Sequence, residues 1–381
     1  MYNVAHYGQV FTPPEIVTTM LGLRKNAGRV LEPSSGDGAF VQCIPNCIGI
    51  EIDPRHCSPN AINMDFFDYP VNEKFETIIG NPPYVRYQDI LPSTKSKLHS
   101  QLFDERSNLY LFFIEKCVQH LTDSGELIFI TPRDFLKATS SIRLNAFLYE
   151  QGTITDVIDL GDKKIFQGFS PNCIIFRFEK GNFSRITNNT QIFSHINGQL
   201  LFAKQSYSLL FNDIFRVKVG AVSGCDTIFA QDDLGNADFV CSTTAKTGNT
   251  KRMIFNINIP YLQVYKEQLM NRRIRFFDET NWWQWGRLHH ISEQERIYVN
   301  AKTRNTRPFF THHCKNYDGS VLALFPHNPQ ADITELCHLL NEVDWQELGF
   351  VCDGRYLFSQ KSLENAPLPA TFDQFRVQGM P

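Results

Sequence analysis

The sequence lacks any run of eighteen consecutive apolar residues and lacks the apolar core of a secretory signal peptide near its start. We therefore expect a soluble, intracellular protein without a membrane association. Its ten cysteines are scattered without a Cys-x-x-Cys pair. The most closely grouped metal-ligating side chains match no common zinc spacing, so we expect buried thiols and no metal site. They are Cys43, Cys47, His56 and Cys57.

Signs of cysteine nucleophilic catalysis are also missing. Cys173, Cys225 and Cys352 have no histidine nearby in sequence that could activate a thiol. What the chain does have is size and apolar content. Its 381 residues, 42% of them hydrophobic, are enough for about two domains with a core each.

The tetrapeptide Asn81-Pro82-Pro83-Tyr84 directly follows the apolar run 77–80. An asparagine oxygen and a neighbouring backbone carbonyl can accept hydrogen bonds from both N–H groups of a planar amine, which re-aims its nitrogen lone pair toward an electrophile. Two prolines restrict the backbone that carries these acceptors, and the tyrosine ring offers a stacking face. Dipeptide statistics alone predict an ordinary Asn-Pro turn, so the surrounding sequence decides between the two.

A glycine-rich loop at 33–40 follows a short apolar segment at 28–32. The pattern predicts a buried strand, a loop and a helix, and glycines there let the backbone approach a nucleotide-like cofactor. A second predicted strand at 47–53 carries Glu51, about twenty residues after Glu32, where an acid can accept hydrogen bonds from ribose hydroxyls.

A third predicted strand ends near Asp65 and Phe66. This pair suits the amino group and the ring of an adenine. Each strand end alone is more often a solvated terminus. Four such ends in this order, the last at Asn81, predict a nucleotide-type cofactor site beside a site for a planar amino group.

The remaining periodicity predicts the layout of this domain. Apolar residues at helical spacing over 109–121 are followed by a stop signal at 123–125 and a strand at 127–130. Two further strands are predicted at 154–160 and 173–178. Alternating strands and helices predict an α/β domain with a mostly parallel sheet and helices on both faces.

With these motifs, roughly residues 7–180 resemble the gamma class of N6-adenine DNA methyltransferases of restriction-modification systems. The class uses S-adenosylmethionine and flips the target adenine out of the duplex. A segment resembling its methionine-side cofactor motif precedes the glycine-rich loop, an order specific to the class. That segment is 8–17, and the other matching segments are 108–113, 125–132 and 164–172.

This resemblance implies a role for each matching residue. Phe166 stacks on the flipped base opposite Tyr84, and Phe169 is the second choice for that role. Ser34 and Ser35 occupy places where relatives carry varied small residues, so only a fit is expected of them. The implied catalytic set is Asn81, Pro82, Tyr84 and Phe166. The implied cofactor set, from the methionine end to the adenine, is Thr12, Glu32, Pro33, Ser34, Ser35, Gly36, Gly38, Glu51, Ile52, Asp65, Phe66 and Pro83.

The chain as a whole has no excess of positive charge, since its net charge is −3. Affinity for nucleic acid depends on where basic residues cluster, and residues 251–310 hold eleven Lys or Arg against five Asp or Glu. The aromatic residues interleaved with them belong either to a DNA-facing surface or to a core, with equal weight: Trp282, Trp283, Trp285, Phe276 and Phe277. The candidate DNA contacts are Arg272, Arg273, Arg275, Arg287, Arg304 and Arg307.

Residues 206–381 resemble the target-recognition domains of the class more weakly, so the expected architecture is a Rossmann-like S-adenosylmethionine-dependent methyltransferase domain at 1–185, a linker or exposed hairpin at 186–205, and a mixed α+β domain. The implied partner is double-stranded DNA. Because the chain has no convincing nuclease motif, cleavage would belong to a separately encoded restriction endonuclease. A monomer suffices for this activity, in the cytoplasm of a prokaryotic cell.

Three alternatives remain open. Release-factor glutamine methyltransferases and some ribosomal RNA methyltransferases carry a similar Asn-Pro-Pro-Tyr loop. Release-factor enzymes place a helical domain before the cofactor fold, whereas about 27 residues precede it here and about 200 follow. This order favours nucleic acid, and DNA within it. The third alternative, a non-catalytic DNA specificity subunit, is disfavoured by the intact tetrapeptide and cofactor acids.

Overall fold

The computed structural model describes residues 10–103, 107–161, 163, 165–166 and 172–377. The chain divides into two compact units, Met1–Ser206 and Tyr207–Pro381. Among the described residues, no helix is both long and apolar enough to cross a membrane.

The first unit is built on a seven-stranded sheet with the strand order β3-β2-β1-β4-β5-β7-β6. Strand β7 pairs antiparallel with both of its neighbours, and the other strands share one direction. The strands are β1 (Val30–Glu32), β2 (Cys47–Glu51), β3 (Ala61–Asn63), β4 (Phe75–Gly80), β5 (Leu121–Pro132), β6 (Gly152–Asp159) and β7 (Cys173–Lys180). The helices are α1 (Pro14–Leu23), α2 (Pro92–Lys95), α3 (Leu109–His120) and α4 (Ile142–Gln151).

Successive side chains of the central strands point to opposite faces, and each face is covered. Leu31 and Ile78 pack into one core cluster with residues of α3 and α4. Their neighbours Val30 and Ile79 pack into a second cluster with residues of α1. The near-continuous burial of these strands follows from having helices on both sides. The predicted mostly parallel sheet with helices on both faces is therefore confirmed.

Three local predictions differ from the structure. The stop signal at 123–125 lies inside β5. The pairing of β4 with β5 is irregular here, since Phe75 pairs with Leu121 whereas Thr77 pairs with Glu126. The intervening residues bulge out of the ladder instead of ending the element. The helix predicted after the glycine-rich loop is a series of turns, in which Gln42 N–H donates to the Gly38 carbonyl at 3.0 Å.

The third difference concerns residues 186–205. They form the hairpin of β8 (Ile192–Ile196) and β9 (Gln199–Ala203). Phe193 and Leu200 are buried in the core that contains α4, so the hairpin is packed and not exposed. The chain consequently divides after Ser206.

The second unit has a four-stranded antiparallel sheet with the order β11-β17-β14-β16, flanked by short helices and small strand pairs. Its strands are β10 (Leu209–Leu210), β11 (Phe215–Val219), β12 (Ala237–Phe239), β13 (Lys251–Met253), β14 (Ile297–Asn300), β15 (Lys302–Thr303), β16 (Phe309–Thr311), β17 (Val321–Pro326), β18 (Val351–Cys352), β19 (Arg355–Leu357) and β20 (Pro367–Leu368). Its helices are α5 (Phe211–Ile214), α6 (Asp226–Phe229), α7 (Thr244–Thr247), α8 (Pro260–Gln263), α9 (Lys266–Met270), α10 (Ile333–Glu342) and α11 (Gln360–Glu364). This is the mixed α+β organisation that was predicted.

Candidate active site

A cleft of about 910 Å³, including its open mouth, lies in the first unit at the carboxyl ends of β1, β2 and β4. Parallel strands end at the same edge of a sheet, and ligands of such sheets bind there. The cleft brings together most of the residues predicted from the sequence: Thr12, Glu32, Pro33, Ser34, Ser35, Gly36, Glu51, Ile52, Asp65, Phe66, Asn81 and Pro83. Gly38, Pro82, Tyr84 and Phe166 do not line it.

The glycine-rich loop needs its glycines for two reasons. Gly36 and Gly38 have φ of +52° and +85°, in the left-handed region that side chains disfavour. A Cβ on Gly36 would lie 3.3 Å from the Phe11 ring, and one on Gly38 would lie 3.1 Å from Cβ of Ser58. Gly38 therefore shapes the loop from behind the cleft wall.

Glu51, at the end of β2, is fixed by the loop. Its Oε2 accepts a hydrogen bond from Gly36 N–H at 2.7 Å, and its Oε1 accepts one from Asp53 N–H at 2.8 Å. The side chain is buried, and this burial raises its pKa. The carboxylate is thus immobile at the cleft wall, and each oxygen keeps a second lone pair for a ligand hydroxyl.

Glu32, at the end of β1, is more deeply buried than Glu51. Its Oε2 accepts a hydrogen bond from Val41 N–H at 2.9 Å. Burial raises its pKa well above the ordinary value, and the nearby Asp37 and Glu51 add to the effect. A buried carboxyl group with acidic neighbours gains most from a cationic ligand, which stabilises its ionised form.

Asp65 and Phe66 are partly committed to the protein itself. Asp65 Oδ1 accepts from Phe67 N–H at 3.0 Å, and Oδ2 accepts from Thr94 Oγ1 at 2.8 Å. The Phe66 ring is buried and stacks on Phe113 with 5.0 Å between centroids. Phe67 and Thr94 also line the cleft, although no sequence motif indicated them.

The Asn81 side chain has a defined orientation. Its Nδ2 donates a hydrogen bond to the Val10 carbonyl at 3.0 Å. Among the described residues, nothing donates to its Oδ1. The Pro82 carbonyl likewise accepts no hydrogen bond from the part of the chain that the structure describes. The amide is therefore held by its nitrogen, which leaves its oxygen as an acceptor beside the cleft.

Two further hydrogen bonds hold the loop that carries Asn81. Ser34 Oγ donates to the Asn81 backbone carbonyl at 3.0 Å. Tyr84 Oη donates to the Ile130 carbonyl at 2.8 Å. Ser34 thus has a role that the sequence analysis did not assign. Ser35 differs, because its Oγ is buried with no hydrogen-bond partner among the described residues.

The rings of Tyr84 and Phe166 are in contact with each other. Their centroids lie 6.2 Å apart with planes inclined at 65°, an edge-to-face arrangement, and Phe166 is buried. The prediction placed a base between these rings. In this arrangement no planar base fits there, because direct ring contact fills the space. Phe169, the second choice for the stacking residue, lies outside the described residues.

The cleft is acidic. Four carboxyl side chains line it, and no Lys, Arg or His among the described residues does. They are Glu32, Asp37, Glu51 and Asp65. A ligand rich in phosphate would be repelled, whereas a nucleoside with a positively charged group would be stabilised.

Metal ligation has no support in the described part of the chain, where no group of three or more His, Cys, Asp or Glu side chains could hold an ion.

The prediction that Arg272 contacts DNA is wrong. Its side chain is buried, and its guanidinium donates to the Leu269, Ser223, Trp282 and Gln284 carbonyls. Burial lowers its pKa to about 10. Four of the five N–H donors of this guanidinium are used by backbone carbonyls, so the side chain organises the local backbone and is turned away from solvent.

The other predicted arginines are all exposed. Arg275 donates to Gln284 Oε1 at 2.9 Å, and Arg287 donates to the Gly220 carbonyl at 3.3 Å. Arg304 donates to the Asp353 carbonyl at 2.8 Å, and Arg307 forms an ion pair of 3.3 Å with Glu342. The fifth is Arg273.

The aromatic residues of the same segment divide into two groups. Trp282, Trp285 and Phe277 are buried, so the core alternative holds for them. Trp283 is half-buried, whereas Phe276 is exposed.

Comparison with known proteins identifies similar structures and similar sequences. The structure of the restriction-modification enzyme MmeI in complex with DNA matches 92% of this chain and 63% of that chain, with a TM-score of 0.60 and 11% identity. The first unit has the Rossmann-like α/β fold that was predicted. Residues 44–166 match the model of the Eco57I restriction-modification methylases.

Curated relatives match slightly less than half of the chain. The type II methyltransferase M.HincII of Haemophilus influenzae is 35% identical over 188 residues, which are 46% of this chain and 37% of that protein. M.TthHB8I of Thermus thermophilus is 33% identical over 196 residues, which are 46% of this chain and 45% of that protein. The chain thus matches less than half of the length of these relatives.

Proposed function

We propose that this protein is a site-specific DNA methyltransferase that methylates the N6 amino group of an adenine flipped out of duplex DNA, with S-adenosylmethionine as the methyl donor. The observation that carries the proposal is the anchored Asn81 amide beside an acidic cleft. The products are N6-methyladenine, S-adenosylhomocysteine and one proton.

The Asn81 loop supplies what an exocyclic amine needs. The amine lone pair is delocalised into the base, so it must be turned toward the electrophile. Asn81 Oδ1 accepts one N–H of the amine and the Pro82 carbonyl accepts the other. Because Val10 holds the Asn81 nitrogen, the amide presents an acceptor and not a donor.

The acids of the cleft fit a cationic nucleoside cofactor. When bound, S-adenosylmethionine supplies an electrophilic methyl group on a positively charged sulfur. Glu51 holds the ribose hydroxyls, and Asp65 and Phe66 hold the adenine. Glu32 and Asp37 add negative charge that favours a cation and disfavours phosphate-bearing nucleotides.

The flipped base stacks on Tyr84. Since the Tyr84 and Phe166 rings contact each other in this structure, base binding separates them. Extruding a base requires a few kcal/mol, which stacking and the hydrogen bonds to the Asn81 loop offset.

DNA as the substrate is supported by the relatives. M.HincII and M.TthHB8I are type II methyltransferases, and MmeI was solved with DNA bound. The second unit acts as the target-recognition domain, with exposed arginines as phosphate contacts. As the modification component of a restriction-modification system, the protein works beside a separately encoded endonuclease.

A methyl-transfer assay tests the substrate class. The protein is incubated with tritiated S-adenosylmethionine and, in separate reactions, unmethylated genomic DNA, ribosomal RNA or a release factor. Label in DNA alone is expected. Label only in RNA or in the release factor would keep the fold and the loop but overturn the substrate, and no label in any of the three would overturn the proposed activity.

A further inference from the structure

Phe276 is the most exposed aromatic side chain of residues 251–310, the arginine- and lysine-rich segment of the second unit, with 82% of its surface accessible. Two other residues of the loop 272–277 are buried. Phe277 is 5% exposed and Arg272 is 8% exposed. A large apolar ring that remains in water beside well-buried neighbours marks a contact surface more often than a packing defect.

The base of this loop is rigid. The Arg272 guanidinium lies over the Phe277 ring at 3.9 Å from its centroid, and Nη2 donates to the Trp282 and Gln284 carbonyls at 2.6 and 2.9 Å. Arg275 ties the same loop to the Gln284 side chain. Anchors on both sides of Phe276 restrict the ring, so little conformational entropy is lost when it inserts into a partner.

Ile274 fixes the loop against a second segment. A Cβ added to Gly286 would lie 2.7 Å from Ile274 Cγ2, so this close approach requires a glycine. Gly286 and Arg287 both donate backbone hydrogen bonds to the Val222 carbonyl. The loop and the residues that follow Gly286 therefore share one surface.

The charges on this surface indicate the partner. Exposed Arg273 and Arg275 flank Ile274, and Arg287 follows Gly286 in the supporting segment. Leu288 adds a second exposed apolar side chain. An apolar wedge bordered by cations matches duplex DNA, in which phosphates border stacked bases.

We propose that Phe276 is a wedge that inserts between stacked base pairs of duplex DNA while Arg273, Arg275 and Arg287 hold the flanking phosphates. The inference rests on the proposed function and names a residue by which the second unit deforms its DNA. A wedge unstacks one base step and kinks the duplex. The arginines provide affinity that depends on salt, and the ring provides affinity that does not.

The test compares variants of the full-length protein. They are bound to a duplex that contains the sequence at which the wild-type protein methylates DNA. Binding is measured by fluorescence anisotropy over a series of salt concentrations, and bending by energy transfer between dyes at the duplex ends. For Phe276→Ala we expect about tenfold weaker binding, an unchanged salt slope and a smaller bend. For Phe276→Leu we expect most of the bend to remain.

Two control variants separate the contributions. Arg273→Ala should lower the salt slope by about one and keep the bend. Val264→Ala removes another highly exposed apolar side chain of the second unit, 83% exposed, and should change neither quantity. Thermal unfolding verifies that each variant is folded.

The wedge is contradicted if Phe276→Ala binds and bends the duplex like the wild type. It is also contradicted if this variant loses affinity equally for single-stranded DNA, because that result indicates a stacking platform. Failure of the wild type itself to methylate DNA would overturn the proposed function, and that result is distinguishable from failure of the wedge alone.

Discussion

The Asn81 side-chain nitrogen donates to the Val10 backbone carbonyl at 3.0 Å, across 71 positions of sequence. Val10 lies just before α1, and Asn81 lies just after β4. This hydrogen bond decides which end of the amide the cleft receives. A hydrogen-bond acceptor at that position is what the proposed chemistry requires, and an amide turned the other way would present donors.

Replacing Asn81 should separate catalysis from cofactor binding. For Asn81→Ala we expect kcat to fall by about 100- to 1000-fold, because a preorganised polar group at the reacting atom is lost. Affinity for S-adenosylmethionine should stay within about threefold, since Asn81 is assigned to the target base and not to the cofactor. Single-turnover methylation and calorimetric titration measure the two quantities. Near-normal turnover would contradict the role of Asn81.

Asn81→Asp provides a sharper variant at the same position. Aspartate keeps an acceptor oxygen but cannot donate to the Val10 carbonyl, so the side chain loses its anchor. We expect a loss of turnover close to that of Asn81→Ala. Full activity in this variant would show that the hydrogen bond to Val10 does not matter.

Ser34 should contribute to the position of the catalytic loop. Ser34→Ala removes the hydrogen bond to the Asn81 carbonyl, worth about 1 kcal/mol. We expect kcat to fall about fivefold, with the midpoint of thermal unfolding slightly lower. Ser141→Ala is the matched control, because the Ser141 hydroxyl is also buried without a hydrogen-bond partner among the described residues and does not line the cleft. Equal effects of the two variants would contradict the assignment.

Cofactor affinity should rise with pH. Burial raises the pKa of Glu32 and of Glu51 above the ordinary value of 4.5. Below pH 4.5 both carboxyl groups are protonated in the folded and the unfolded protein, and their ionisation costs nothing. As the pH rises from 4.5 through the raised pKa values, the unfolded state releases its protons first, so the free energy of unfolding falls. A cationic ligand offsets this loss of stability by favouring the ionised form.

Calorimetric titration at several pH values measures this linkage. S-adenosylmethionine should gain more affinity with rising pH than S-adenosylhomocysteine, which has the same ribose and amino-acid groups but no charge on sulfur. An identical pH dependence for both ligands would show that the acids do not sense the sulfonium charge.

Arg272 and Arg273, adjacent in sequence, should respond in opposite ways. Arg272→Ala leaves four carbonyls without this donor, in three buried hydrogen bonds and one partly buried one, and we expect a loss of about 3 kcal/mol in the free energy of unfolding. Arg273→Ala should change it by less than about 0.5 kcal/mol, while weakening DNA binding. Chemical denaturation distinguishes the two. A stable Arg272→Ala protein with weakened DNA binding would restore the predicted phosphate contact.

Tyr84 should act through its ring. Tyr84→Phe removes the hydrogen bond to the Ile130 carbonyl and the contact of the hydroxyl with Cys173, so we expect a stability loss of about 1 kcal/mol and nearly normal turnover. Tyr84→Ala also removes the stacking face and should lower kcat/KM by about tenfold or more. Fluorescence of 2-aminopurine at the target position reports whether the base still leaves the stack. If Tyr84→Phe lost as much turnover as Tyr84→Ala, the hydroxyl and not the ring would have the catalytic role.

The features that the sequence predicted well are local ones. β1, β2 and β4 are short apolar segments, and because parallel strands end together, the residues after them had to meet at one edge. Glu32, Glu51 and Asn81 line the same cleft for this reason. The turn at Gly36 and Gly38 could also be predicted, because a backbone with positive φ favours glycine.

The features that the sequence did not predict depend on tertiary contacts. Ser34 and Val10 matter through hydrogen bonds to Asn81, and no local pattern encodes bonds across 47 and 71 positions. Arg272 looks like its exposed neighbours in sequence, yet four carbonyls surround it. The turn signal at 123–125 lies within a strand, because pairing of β5 with β4 outweighs local turn preference.

Nucleoside analysis of the methylated product tests the central claim most directly. Unmethylated duplex DNA is incubated with S-adenosylmethionine and either the wild type or Asn81→Ala, then digested and examined by mass spectrometry. The account predicts N6-methyladenine from the wild type and almost none from the variant. A different methylated nucleoside, or equal N6-methyladenine from both proteins, would contradict it.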